Sequence, residues 1–143
     1  MAEELIYDPL RRKMVALTPE EAVRQWFIGV LRDELQVPVH KMMSEVGAVS
    51  GEKVSGLRGG ARKINRADIM VYDRDSNPLM VVECKRPDVE LDTQVLGQAL
   101  HYAALFEGVR YLAVTNVRST YFARGEDGRL VFTDKIPKYK EMF

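Results

Sequence analysis

The sequence predicts an α/β chain of the α+β sandwich type, with a mixed central β-sheet flanked by helices, and three observations carry that reading. A capped amphipathic segment begins at Thr18. The run Leu79-Met80-Val81-Val82 is apolar at every position, the pattern of a strand covered on both faces. Patterned segments then succeed one another as helix, strand, hairpin, helix, strand, hairpin, an order that suits a sheet sandwiched by helices.

The first helix is legible from its cap. Thr18 suits the N-cap, Pro19 the first helical position, and Glu21 completes a Thr-x-x-Glu capping box. Val23, Trp26, Phe27, Val30 and Leu31 recur at spacings of three and four, which predicts one buried face on a helix running to about Glu34 before Pro38. Lys41 to Val46 reads as a short strand. Residues 47 to 63 hold five glycines and read as a long loop or loose hairpin, with no phosphate-binding spacing among Gly56, Gly59 and Gly60. Asp68 to Tyr72 and Leu79 to Lys85 form a predicted hairpin around the turn formers Asp73-Arg74-Asp75-Ser76-Asn77-Pro78.

After Pro87, a second helix is expected from Asp92-Thr93 to about Phe106. Its apolar side is Leu96, Ala99, Leu100, Ala103 and Phe106, and Gly108 marks its end. Tyr111 to Thr115 is a third strong strand. Ser119 to Ala123 and Leu130 to Phe132 pair around Asp127-Gly128. The residues from Pro137 onward are expected to lie loosely on the surface.

Bulk properties restrict the function classes. The 143 residues suit one domain, are 46% hydrophobic and 29% charged, and contain no apolar run long enough to span a membrane. The opening Met1-Ala2-Glu3-Glu4 lacks the marks of a secretory signal, so a cytoplasmic location is expected. A lone Cys84 and two distant histidines, His40 and His101, exclude an internal disulfide and structural zinc and carry no catalytic signature. Cys84 itself reads as a small buried hydrophobe. Basic and acidic residues balance at 21 each, but Arg58, Arg62, Lys63 and Arg66 form a local surplus that either meets phosphates or is a solvated basic loop.

Chemistry concentrates at the end of the central strand. Glu83 and Lys85 are two residues apart and project from one face, and Asp68 on the neighbouring strand comes beside them if the turn sets the register. Two close carboxylates repel unless a proton or cation lies between them. A hard divalent ion is the natural partner, since magnesium takes one or two carboxylates, keeps several waters and is completed by phosphate oxygens. The same oxygen ligands accept Mn²⁺. Lys85 would then hold the attacking water. The plain alternative is an exposed strand-end ion pair.

The pattern Asp68-x14-Glu83-x-Lys85 resembles the active-site signature of the PD-(D/E)xK nuclease superfamily. Arg66-Ala67-Asp68-Ile69, Val82-Glu83-Cys84-Lys85-Arg86-Pro87, Gln98-x3-Tyr102, Val114-Thr115-Asn116 and the opening Thr18-Pro19-Glu20-Glu21-x2-Arg24-Gln25 are similar to the N-terminal nuclease domain of type I restriction enzyme R subunits. The likeness spans about residues 7–125 of a single domain, with a C-terminal hairpin and tail over 119–143.

The resemblance implies a restriction-endonuclease-like core and a Mg²⁺- or Mn²⁺-dependent nuclease acting on DNA. Asp68 and Glu83 would bind the metal, together with the main-chain carbonyl of Cys84 and an acidic residue of the first helix. Glu21 is the first candidate for that last role, and Glu20 and Glu45 are substitutes; Glu21 reads equally as the capping carboxylate alone. Lys85 would serve catalysis. Gln98 and Tyr102, one turn apart on the second helix, would orient the site or the nucleic acid. Arg62, Lys63 and Arg66 would contact DNA. The partners implied are DNA and restriction-system or helicase subunits, with homodimerisation an option for cutting both strands. The sequence has no Gly-x4-Gly-Lys-Ser/Thr phosphate loop, so the ATP-driven motor of type I enzymes is not in it. The competing expectation is a nuclease-fold module that binds nucleic acid without cutting, or cuts only with partners.

Overall fold

The first helix starts where its capping pattern puts it. In α1 (Pro19–Asp33) the Thr18 hydroxyl accepts the Glu21 N–H at 3.1 Å. Only half of the expected capping box forms, because the Glu21 carboxylate turns to Arg11 and Gln25 rather than back to Thr18. The buried face also differs from the expectation. Val23, Phe27, Ile28 and Leu31 are buried, whereas Trp26 is 43% exposed. At about 100° per residue, Arg24 and Ile28 lie on one side of the Phe27–Leu31 stripe and Trp26 on the other, and the helix is rolled so that Arg24 is buried.

The computed structural model describes residues 3–47 and 66–143. The glycine-rich stretch beyond Gly47, with Arg58, Arg62 and Lys63, lies outside these residues. Six strands form one sheet in the order β3 (Met42–Gly47), β4 (Arg66–Tyr72), β5 (Pro78–Cys84), β6 (Tyr111–Thr115), β7 (Thr120–Glu126) and β8 (Arg129–Thr133). Only β5 and β6 run parallel; the other neighbours are antiparallel, which makes the sheet mixed. A parallel pair needs a crossover, supplied here by α2 (Thr93–Ala103).

Turn chemistry sets the registers. Asp73 Oδ1 accepts the N–H groups of Asp75 and Asn77, each at 2.9 Å, and closes the β4–β5 turn. Asp127 and Gly128 both have positive φ, the two-residue hairpin geometry expected of that dipeptide. The second helix is shorter than predicted. After Ala103 the backbone tightens, with Leu105 N–H bonded to Tyr102 O and Phe106 N–H to Ala103 O, so Phe106 is buried from a turn rather than from the helix.

Both faces of the sheet are covered. Phe27, Ile28 and Leu31 of α1 pack with Ile69, Val71, Met80, Val82 and Cys84 on one side. Ala99, Ala103 and Phe106 pack with Met70, Val81, Leu112, Val114 and Ala123 on the other. The result is the α+β sandwich expected, consistent with a restriction-endonuclease-like fold. Two regions depart from the expectation. A separate hairpin, β1 (Leu5–Asp8) with β2 (Lys13–Ala16), precedes α1. The C-terminal residues are not loose: Tyr139 and Met142 are buried with Ile136 in the α1-side core, and the Tyr139 hydroxyl donates to Tyr72 O at 2.8 Å.

Candidate active site

The strand registers bring the expected carboxylates level with one another. Ile69 pairs with Val82 and Met70 with Val81, so one further step places Asp68 opposite Glu83. On the other flank Ser44 pairs with Ile69 and Val46 with Ala67, which puts Glu45 level with Asp68. Three acidic residues thus stand in a row across β3, β4 and β5. Glu45 has φ +57° and leaves the row, its carboxylate lying 3.6 Å from Arg11 and 3.7 Å from Arg24. Positive φ in a non-glycine strand residue carries strain, which surrounding contacts hold in place here.

Asp68 and Glu83 remain together. Asp68 Oδ2 accepts the Cys84 N–H at 2.6 Å, so this side chain replaces a ladder carbonyl where β4 and β5 separate. Lys85 continues the β5–β6 ladder through its N–H to Thr115 O at 2.8 Å, and its side chain falls on the Glu83 face. That face is the one covered by α2. Glu20, Arg66, Glu83, Lys85, Gln98 and Tyr102 line one open cleft. Two other hollows lie at the opposite end of the sheet, around Asp73 and around Gly125, away from these groups.

The electrostatics of the cleft are those of a site short of positive charge. Burial pushes the Glu83 carboxyl up to about 8, the charge of Asp68 adds to the rise, and Lys85 opposes it. Burial also raises the Asp68 carboxyl, against the Cys84 N–H and the Arg24 charge, with Glu20 adding to the rise. Tyr102 is raised by burial and then by the charges of Glu83 and Asp68. Glu83 Oε2 and the Tyr102 hydroxyl are buried without a hydrogen-bond partner among the described residues. Buried polar atoms are ordinarily satisfied, so each invites a ligand.

The other expected residues are distributed as follows. Glu21 is buried and committed: Oε1 accepts from Arg11 at 2.7 Å and Oε2 from Gln25 at 2.9 Å. Glu20, not Glu21, borders the cleft. The Cys84 thiol is buried and raised well above its ordinary value by burial, the state of an inert packing group. His40 and His101 are exposed. Sequence reasoning passed over Asp8, Arg11 and Arg24, whose charges converge behind Asp68. Arg24 lies within the Thr18–Gln25 stretch, but a single arginine on a helix gives no sign of burial.

A carboxylate level with Asp68 and beside a lysine, in a cleft lined also by Gln98 and Tyr102, invites comparison with known proteins. The family described as type I restriction enzyme R protein N terminus matches residues 19–137. The chain belongs to this family. No curated protein matches it. The family match runs from the first residue of α1 past the end of β8 and contains all the cleft residues named above, while the β1–β2 hairpin falls before it. Membership suggests a restriction-related function of the nuclease type. No helix among the described residues is long and apolar enough to cross a membrane.

Proposed function

We propose that this chain is a metal-dependent nuclease of the PD-(D/E)xK superfamily that hydrolyses DNA phosphodiester bonds. The observation that carries the proposal is Glu83 Oε2, a buried carboxylate oxygen with no partner among the described residues, level with Asp68 and on the face of Lys85. The donor set fits a divalent ion: two converging carboxylates suit Mg²⁺ or Mn²⁺, with water and phosphate completing the shell. Asp68, Glu83 and the Cys84 carbonyl would hold it, with Glu20 the acidic residue of α1 placed to assist. When bound, the ion lowers the pKa of a water and neutralises charge on the phosphate.

The chain's own residues supply the rest. Lys85 holds the attacking water near the phosphorus. Water adds there as the phosphorus–oxygen bond of the leaving nucleotide breaks, and the proton of the water passes to that oxygen. Tyr102 and Gln98 orient the backbone from α2. Arg66 meets a flanking phosphate, joined by Arg62 and Lys63 from the basic segment. By family, the proposed setting is a restriction system, in the cytoplasm, with DNA and further subunits as partners and pairing with a second copy as the route to a double-strand cut.

A second reading has an observation of its own: the described residues that line the cleft include Glu83 and Lys85 but not Asp68, so the two carboxylates do not share its lining. That favours a nuclease-fold module which binds DNA and needs partners for turnover. One experiment decides between them. Purified protein is incubated with linear duplex, nicked and single-stranded DNA in Mg²⁺, Mn²⁺ or EDTA, beside Lys85→Ala. Metal-dependent cleavage lost in the variant is the expected result. Salt-sensitive DNA binding without cleavage under any condition would replace it with the second reading.

A further inference from the structure

Arg24 is in an unusual position for a buried cation. Its side chain is 9% exposed, with Nε 3.7 Å from Glu21 Oε2 and Nη2 3.7 Å from Glu45 Oε2 and 3.8 Å from Asp68 Oδ1. These are ion-pair distances, longer than hydrogen bonds. Nε and Nη1 have no hydrogen-bond partner among the described residues. Arginine–carboxylate pairs are frequently bidentate, the fork closing on one partner through two parallel hydrogen bonds. Here one guanidinium is shared by three carboxylates from α1, β3 and β4, and closes on none.

Behind it stands a second arginine that does close. Arg11, at the turn of the β1–β2 hairpin, donates to Asp8 and, at 2.7 Å, to Glu21 Oε1, and lies 3.6 Å from Glu45 Oε1. Glu21 and Glu45 each therefore present one oxygen to Arg11 and the other to Arg24. The order of charges is Asp8, Arg11, the Glu21 and Glu45 pair, Arg24, then Asp68. At the far end Asp68 has one oxygen fixed by the Cys84 N–H, and the other, Oδ1, faces Arg24. Asp8 and Arg11 precede the segment matched by the family, so this support is built from outside it.

We propose that Arg24 is a positioning residue for Asp68 and that Arg11, carried by the N-terminal hairpin, anchors Arg24 through Glu21 and Glu45. The inference rests on the metal-binding role given to Asp68 above. Because Arg24 closes on no partner, it aims Asp68 Oδ1 without locking it, and leaves that oxygen available to a cation. Groups that orient a metal ligand typically alter metal affinity by about tenfold to a hundredfold when removed.

The test is calorimetric titration of Mn²⁺ into the full chain and into Arg24→Met, Arg24→Lys and Arg11→Met, with a thermal melt of each in EDTA. Arg24→Met should weaken Mn²⁺ binding by about tenfold or more, Arg24→Lys should recover part of the loss, and Arg11→Met should shift affinity in the same direction by less. Arg24→Lys keeps the buried charge, and so reports on orientation if Arg24→Met unfolds. Arg24→Met binding Mn²⁺ as tightly as the unaltered chain, or more tightly, or Arg24→Lys doing so where Arg24→Met does not fold, would overturn the inference and leave Arg24 a structural cation. An unchanged Arg11→Met would remove the hairpin from it. Failure of the unaltered chain to bind Mn²⁺ would sink the metal site itself, a result distinguishable from both.

Discussion

Replacing Glu83 by glutamine should stabilise the metal-free protein, and the gain should grow with pH. The carboxyl titrates at about 8 in the fold against 4.5 for a free side chain, because burial and the neighbouring Asp68 disfavour its charge. A folded value above the unfolded one means that the fold binds the proton more tightly. Stability is therefore full below about pH 4.5, falls as pH rises, and levels off above about pH 8. At about 1.4 kcal/mol for each tenfold difference in proton affinity, the full cost approaches 5 kcal/mol. Water in the open cleft screens the charge, so about 2–3 kcal/mol is the expected measurable cost. For a chain of this size that corresponds to roughly 6–10 °C in Tm.

The assay is a series of thermal melts in EDTA across this pH range for the unaltered chain and Glu83→Gln. Glutamine mimics the protonated carboxyl, so the two should melt together at low pH and separate as pH rises. Adding Mg²⁺ or Mn²⁺ at high pH should raise the Tm of the unaltered chain and close the gap, with little effect on the variant. A constant difference at every pH would refute the reasoning, since it would mean that Glu83 acts through packing or a hydrogen bond and not through an uncompensated charge.

Other perturbations separate chemistry from scaffold. Asp68→Ala should abolish cleavage and also lower stability by about 1–3 kcal/mol, because the Cys84 N–H loses its acceptor; Asp68→Asn should lose cleavage with a smaller drop, both read by denaturant unfolding beside a cleavage assay. Glu20→Gln should raise the Mn²⁺ concentration needed for half-maximal cleavage with little change in Tm. Glu21→Gln should do the reverse at the level of the fold, lowering Tm by loosening Arg11; equal effects of the two on metal requirement would contradict their placement. Deleting the residues after Pro137 should destabilise the fold by several kcal/mol, since it uncovers the site of Tyr139 and Met142, and an unchanged unfolding midpoint would show that the tail is dispensable.

Much of this architecture was legible because the signals were local or periodic. The Thr18 cap, the turn formers from Asp73 to Pro78 and the Asp127-Gly128 pair each act within a few residues, and each element they bound is present. The strand Leu79–Val82 was placed at the centre by its lack of a polar face, and it is buried on both sides. What escaped was non-local. The four-residue strands Leu5–Asp8 and Lys13–Ala16 are too short to show alternation. The helix rotation that exposes Trp26 follows from Arg24 being buried against acids on β3 and β4, and no single-helix pattern encodes that. Tyr139 and Met142 looked like tail residues because their cavity is made by α1 and β4, far away in sequence.

The site divides along the same line. Glu83 and Lys85 could be paired from strand period alone, and Asp68 joined them once the hairpin register was assumed; the register does place Asp68 level with Glu83. Choosing among Glu20, Glu21 and Glu45 needed three dimensions. Glu21 has both oxygens engaged, and Glu45 is turned out of the carboxylate row by its own backbone. Those two acids neutralise arginines rather than add to the negative cleft. The division makes electrostatic sense, because Glu21 and Glu45 left free beside Asp68 and Glu83 would repel the polyanion the cleft is proposed to admit. The chain carries no net charge to offset that repulsion at a distance. Tying Glu21 and Glu45 to Arg11 and Arg24 leaves Glu83 facing Lys85 with Asp68 level beside it, a surplus of negative charge that a bound cation would reduce.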